Sequence, residues 1–325
     1  MPRLPRLAAA ATAALAFGVV AAAPATGTEP VVTDARIAAH FGLAAGQTPD
    51  NIALEPDGSA DLTLAYARQV AHVTPEGQTR IGATLPAVAH PDTPLVHKAV
   101  VTGIARAHDG TLYVNYATGT SRTGIWRLAP GEEPEQIAPL PANGYPNGLA
   151  LDEHRGVLYA ADSVLGTVWR VPQQGGPATV WARDTALEPL TGASAGGCGA
   201  NGLKVHRGAV WVSNTDRGTL LRIPVGQDGS AGRAETLARG LAGIDDFAFT
   251  GSGRTVVAAL NKANQVVLVR RDGSHAAALG QQDGLSNPTS VAVLGRVVYV
   301  PNAAYFTRKD PNLLLARLRE RGDRL

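Results

Sequence analysis

Tyr145-Pro146-Asn147-Gly148-Leu149-Ala150-Leu151-Asp152 runs from a polar residue into a short apolar strand, and after a turn at Gly156 a second apolar strand follows, Val157-Leu158-Tyr159-Ala160-Ala161-Asp162. The same order recurs along the chain. Asp50-Asn51-Ile52-Ala53-Leu54 leads through Pro56-Asp57-Gly58 to 61–64, and Thr102-Gly103-Ile104-Ala105 through Asp109-Gly110 to 112–114. Asn201-Gly202-Leu203-Lys204-Val205 leads through Gly208 to 210–212. Asp245-Asp246-Phe247-Ala248-Phe249 leads through 251–253 to 256–259, and Thr289-Ser290-Val291-Ala292-Val293 through Gly295 to 297–300. These six copies are spaced near the ~40–50 residues of one four-stranded propeller blade.

Further strands complete the pattern. A third repeats at 70–73, 125–128, 168–171, 220–223 and 266–269, and a fourth at 79–81, 135–137, 178–181, 234–237 and 275–279. The last copy runs out after a third strand at 313–318, while a surplus strand, Arg36-Ile37-Ala38-Ala39-His40-Phe41, stands before the first copy. Placing the surplus strand on the last blade pairs an edge that would otherwise invite association. The reading is all-β: a six-bladed β-propeller over 35–320, closed by an N-terminal strand on the last blade, with a short tail at 321–325. A β-sandwich or a pair of barrels does not account for the six-fold period.

Composition agrees. Gly 37 and Pro 22, with charged residues at only 17%, suit many short strands joined by tight turns. Net charge is +2 with no run of Lys or Arg, which argues against nucleic acid or an anionic membrane as partner. Arg3 and Arg6 precede an apolar run from 7 to 23, and Ala23-Pro24-Ala25 offers small residues for cleavage. This reads as a secretory signal peptide at 1–25 followed by a Pro/Thr/Gly linker at 26–34, giving a secreted monomer with no membrane attachment once the leader is removed. The run is Ala-rich and below the ~20 residues a span needs. A single cysteine, Cys198, excludes an intramolecular disulfide.

In a propeller the first strand of each blade lines the central channel. The polar residues that open these strands, Asp50, Thr102, Asn147, Asn201, Asp245 and Thr289, are therefore expected to meet as a ring at one mouth. Asp246 follows Asp245, but strict alternation lets only one face inward, and the register with Asn147 selects Asp245. Two carboxylates and two amide oxygens, Asp50, Asn147, Asn201 and Asp245, suit one hard divalent cation, Ca²⁺ first, with Mg²⁺, Mn²⁺ or Zn²⁺ as alternatives. Asn before Gly is also a common turn pair; it is the shared register in separate blades that points to ligands. Turns after the second strands bring Tyr116, Asp162, Asn214 and Tyr305 toward the same mouth. Trp126, Trp169 and Trp211, at recurring strand positions, read as blade core. Cys198 reads as a small loop residue, because nothing beside it supplies a base.

On these motifs the chain resembles the gluconolactonase and senescence-marker-protein (regucalcin-like) family over roughly 35–320. That family carries a metal-ligating Glu at the first blade, an Asn at the third, an Asn in an Asn-Gly-Leu run at the fourth and an Asp at the fifth. The matching positions here are Asp50, Asn147, Asn201 within Asn201-Gly202-Leu203, and Asp245, with Asp50 a departure from the usual Glu. The resemblance implies hydrolysis of a lactone or other small cyclic ester, with the ion polarising the carbonyl and Asp245 as general base. It also suggests substrate contacts from Thr102, Thr289, Tyr116 and His97, the last set against an ordinary solvated loop histidine. Two other classes share the fold: condensing or isomerising propellers of the strictosidine-synthase-like kind, and non-catalytic NHL-like binding propellers.

Overall fold

The computed structural model describes residues 32–192, 197–251 and 253–319. Six four-stranded antiparallel sheets make up the fold. Each of the first five blades takes four consecutive strands, and their innermost strands are Pro49–Leu54, Val100–Arg106, Pro146–Asp152, Ala200–His206 and Ile244–Phe249. The sixth combines Ala292–Leu294, Val297–Asn302 and Asn312–Leu318 with the N-terminal strand Val32–His40, which pairs Val32 with Leu318 and His40 with Asn312. Sequence distant ends thus share one sheet, and no blade is left with an open seam. The closing strand starts at Val32, earlier than its apolar run suggested, so residues 32–34 belong to the sheet. The leader, the rest of the linker and the tail at 321–325 lie outside the described residues. Among the described residues, no helix is long and apolar enough to cross a membrane.

The core is divided by blade interface. Among the described residues, Ile104, Val114, Tyr116 and Trp126 pack on Ala53, Val70 and Leu85 of the preceding blade, and Leu158 and Trp169 pack on Tyr113 and Ile125. Val210 and Leu203 meet Val157 and Tyr159, Phe247 and Val256 meet Trp211 and Leu220, and Val298 and Leu314 meet Val257 and Val266. Tyr299 and Leu313 then close on Ile52 and Leu62. Trp126, Trp169 and Trp211 are all buried in these interfaces. At about 25 cal/mol per Å² of apolar surface removed from water, such face-to-face packing supplies most of the drive to close the ring. No disulfide is needed to hold it.

One departure from simple strand geometry decides where the polar residues point. Every one of the first five innermost strands loses register with its neighbour at the ring position: between Pro49 and Ile52, Val101 and Ile104, Pro146 and Leu149, Ala200 and Leu203, and Ile244 and Phe247. A bulge at that point breaks the period of two. Two successive side chains can then approach the axis, which strict alternation forbids. Glycine follows the ring residue in the third and fourth blades because the neighbouring strand comes too near for anything larger. A Cβ on Gly148 would lie 2.3 Å from Asn201 O, and one on Gly202 would lie 2.3 Å from Asp246 Oδ1 and 2.6 Å from Asp246 Cα.

Candidate active site

The inner strands are fastened to one another by a repeated polar latch. The carbonyl just before each of four ring residues accepts a hydroxyl from another blade. Thr289 Oγ1 donates to Pro49 O at 2.9 Å and Thr102 Oγ1 to Pro146 O at 2.8 Å. Ser163 Oγ donates to Ala200 O at 2.8 Å and Thr215 Oγ1 to Ile244 O at 2.7 Å. The two ring threonines are thereby committed to holding blades together. Both are buried, and their hydroxyls face backbone rather than the mouth. Where the hydroxyl comes instead from Ser163 or Thr215, beyond the second strand, the ring position of that blade is released for Asn147 or Asn201.

The same hydroxyls orient two of the expected ligands. A hydroxyl has one proton to give. Ser163 spends it on Ala200 O, so its contact with Asn147 Nδ2 at 3.2 Å must be an accepted bond. Thr215 likewise accepts from Asn201 Nδ2 at 2.8 Å. The network therefore assigns which end of each amide is nitrogen and leaves both Oδ1 atoms available as ligands. Asn201 also stands beside the Asp245 carboxyl, on which it acts to lower the pKa.

Asp50 and Asp245 are half-buried at the mouth. Burial pushes the Asp50 carboxyl up to about 6, against a hydrogen bond from Tyr305 that acts to lower it and the charge of Asp246 that raises it further. Burial also pushes Asp245 well above the usual carboxylate range, and the charges of Asp50 and Asp246 add to the effect. Acidic groups from the first and fifth blades thus converge across the channel. Tyr305 Oη donates to Asp50 Oδ1 at 2.7 Å, and its ring lies edge-on to Tyr66 with centroids 5.7 Å apart. Tyr145 is buried near both carboxylates, and burial followed by the Asp50 charge holds its phenol far above its ordinary pKa. Tyr66, Tyr145 and Tyr305 thus stand beside the carboxylates of the ring.

Asp246 is the residue that alternation hid. It is buried beneath Asp245, where its Oδ2 accepts from Ser290 Oγ at 2.5 Å and Asn51 Nδ2 at 3.3 Å, and where Lys204 Nζ reaches it at 2.6 Å. One carboxylate so ties the first, fourth, fifth and sixth blades together below the ring. A buried ion pair is weak evidence for stability in itself, but loss of either partner would strand a charge. The sequence signal was present: an acid stands where Gly148 and Gly202 stand in their blades.

Tyr116, His97 and Asp162, expected toward the mouth, are engaged otherwise, and Cys198, read as a small loop residue, takes no catalytic role. Tyr116 is fully buried between the first and second blades, its ring against Trp126 at 5.8 Å and its hydroxyl on Pro86 O at 2.7 Å, so it is a core residue. His97 is exposed, in a left-handed turn, with Nδ1 2.6 Å from Asp92 Oδ1. Burial pushes the Cys198 thiol up to about 12, which rules out a thiolate nucleophile at neutral pH. Asp162 turns its Oδ1 to the backbone N–H of Tyr145, Val164 and Leu165, fixing the segment that enters the third blade.

The donor set fits a hard divalent cation. Asp245, raised by burial and by the charges of Asp50 and Asp246, would be relieved by positive charge between it and Asp50, and the two amides are oriented by the hydroxyls of Ser163 and Thr215. Among the described residues, no cluster of three or more His, Cys, Asp and Glu side chains that could hold a metal ion occurs, so any cation here would depend on amide oxygens beside the two carboxylates.

Fold and site define a six-bladed propeller with an acidic channel mouth flanked by tyrosines. No family model matches the chain, and neither does the sequence of any curated protein. Solved structures do match it. A gluconolactonase from Xanthomonas campestris shares 15% identity at a TM-score of 0.62, over 89% of this chain and 97% of that one. A putative gluconolactonase shares 17% at 0.62, over 88% and 92%. Virginiamycin B lyase from Staphylococcus aureus shares 13% at 0.57, over 84% and 96%. At such identities the likeness is one of fold, and the chemistry has to be argued from the site.

Proposed function

We propose that this chain is a divalent-metal-dependent hydrolase of small cyclic esters, acting after export. The observation that carries the reading is the approach of the Asp50 and Asp245 carboxyls at the mouth, with two amides on the neighbouring inner strands whose nitrogen ends are held by Ser163 and Thr215. The gluconolactonases among its structural neighbours support it. Asp50, Asn147, Asn201 and Asp245 would hold the ion, Ca²⁺ before Mg²⁺ or Mn²⁺, and Zn²⁺ last by ligand softness. When bound, it would polarise the ester carbonyl and lower the pKa of an attacking water.

The protein's own groups do the rest. Tyr305 holds Asp50 in place through its hydroxyl. Asp245 takes a proton from the water as the water oxygen adds to the acyl carbon. The ring C–O bond then breaks, and the departing alkoxide oxygen takes the proton back from Asp245. Lactone and water become the hydroxy acid, and the carboxylate of Asp245 is restored. Tyr66, Tyr145 and Tyr305 stand beside the ring, where burial desolvates the carboxyls, so stabilising the charge that develops on the carbonyl oxygen is worth more than it would be in solvent.

The test is turnover of a lactone panel with added Ca²⁺, Mg²⁺, Mn²⁺ or Zn²⁺, with chelator, and in Asp245→Asn. Turnover should require a cation and fall by about 10²–10⁴ in the variant, the range for loss of a general base, with melting behaviour retained. Full activity in Asp245→Asn rules out the mechanism. Ring opening without uptake of solvent oxygen would mean a lyase instead.

A further inference from the structure

Beside the ring a cavity of about 450 Å³ opens to solvent, a size that takes a drug-sized small molecule. Tyr305 forms its inner end and links it to Asp50. Its lining is mixed: Leu95, Val96 and the ring of Tyr66 supply apolar surface beside polar groups that include Thr48. Its rim carries two cations, Lys98 and Arg308. Both are exposed, and among the described residues neither makes a close ion pair with a carboxylate.

Both cations stand on fastened loops. Thr93 Oγ1 donates to Lys98 O at 2.9 Å, and Lys98 Nζ lies 5.3 Å from the centre of the Tyr66 ring, a cation–π contact that keeps the ammonium over the cavity. The segment bearing Arg308 is pinned where Asn287 Oδ1 accepts from the N–H of Phe306 at 2.9 Å and of Thr307 at 2.7 Å, and Arg308 N donates to Ala304 O at 3.0 Å. Positive charge at the rim and carboxylates at the ring give the site two ends of opposite sign, with apolar surface between. A polyol would leave the rim cations without partners and set hydroxyls against Leu95 and Val96. An acidic group bound at the ring itself would meet Asp50 and Asp245.

We propose that the ligand of this site is an amphipathic lactone bearing an acid group: the anion on Lys98 and Arg308, the body on Tyr66, Leu95 and Val96, and the ester toward the ring. This rests on the hydrolase reading for the position of the ester, and on the cavity alone for the anion. The matched probes are carboxyphthalide, an aromatic lactone with a carboxylate, and its neutral amide, carbamoylphthalide. Binding is measured by titration calorimetry in chelator, and turnover by chromatography with cation added. The native protein should bind the acid about tenfold more tightly than the amide, as two exposed ion pairs provide. The preference should shrink as salt is raised.

Lys98→Gln with Arg308→Gln should bring the two affinities together, and melting curves check that this variant, altered at two exposed side chains, keeps its fold. Equal affinities in the native protein, failure to bind either probe, or a preference that survives the double substitution would each overturn the proposal, whether or not the lactones are opened. A preference that the double substitution removes, with neither probe hydrolysed, leaves the anion site standing and counts against the hydrolase reading instead.

Discussion

Replacing Asp50 by Asn should stabilise the protein in chelator at neutral pH while destroying the cation response. The amide keeps the shape and can still accept the hydrogen bond that Tyr305 donates at 2.7 Å, but it carries no charge. In the folded chain the Asp50 carboxyl is raised from 3.8 to about 6. At 1.36 kcal/mol per pKa unit, ionising it in place costs roughly 3 kcal/mol more than ionising it in the unfolded chain. Because the folded-state pKa lies above the unfolded one, the folded chain keeps the proton longer, and stability falls as pH rises from near 4 through 6. The Asn variant lacks that decline. Native and variant should therefore melt alike near pH 4, and the variant should melt about 5 °C higher at pH 7 in chelator. Asp61, also raised to about 6 by burial, is common to both chains and cancels in the difference. Saturating Ca²⁺ should reverse the order, since only the native site gains by binding. Scanning calorimetry across pH, with and without chelator, reads all of this. A variant that melts below the native protein at pH 7 in chelator, or a difference that does not change with pH, would refute the idea that Asp50 is held in an acidic ring awaiting positive charge.

Two further substitutions probe the scaffold under the ring. Gly202→Ala places a methyl 2.3 Å from Asp246 Oδ1 and 2.7 Å from Asp245 O; with a strand as neighbour the cost should reach at least the ~1–3 kcal/mol of ordinary overpacking, seen as a lower urea midpoint. Thr215→Val keeps volume but removes the hydroxyl that joins Ile244 O to Asn201. It should cost about 1–3 kcal/mol for the stranded buried groups and weaken cation affinity measured by calorimetry, whereas a valine variant with native affinity would show that the amide needs no such support.

Much of the architecture was legible because its signals are local. A repeated run of polar residue, apolar strand and turn, as at 147–162 and again at 201–212, states the blade and its period. The incomplete last copy and the spare strand before the first together state how the ring closes. Their common register is what offered Asp50, Asn147, Asn201 and Asp245 as one set. Thr102 and Thr289 share that register too, yet their hydroxyls latch onto Pro146 and Pro49. Nothing in a linear pattern tells a hydroxyl that faces the channel from one that faces a neighbouring carbonyl.

Asp246 marks the boundary most clearly. Alternation excludes it from the channel, and the bulge between Ile244 and Phe247 puts it there, under contacts from Asn51, Lys204 and Ser290. The sequence alone determined the wheel and its closure, since strand period and repeat length are properties of the chain itself. Which side chains serve the mouth and which hold the blades together was decided only in three dimensions. Both depend on close approach between strands far apart in the chain, and the bulge, the latch and the rim cations of the cavity exist only once those strands have met.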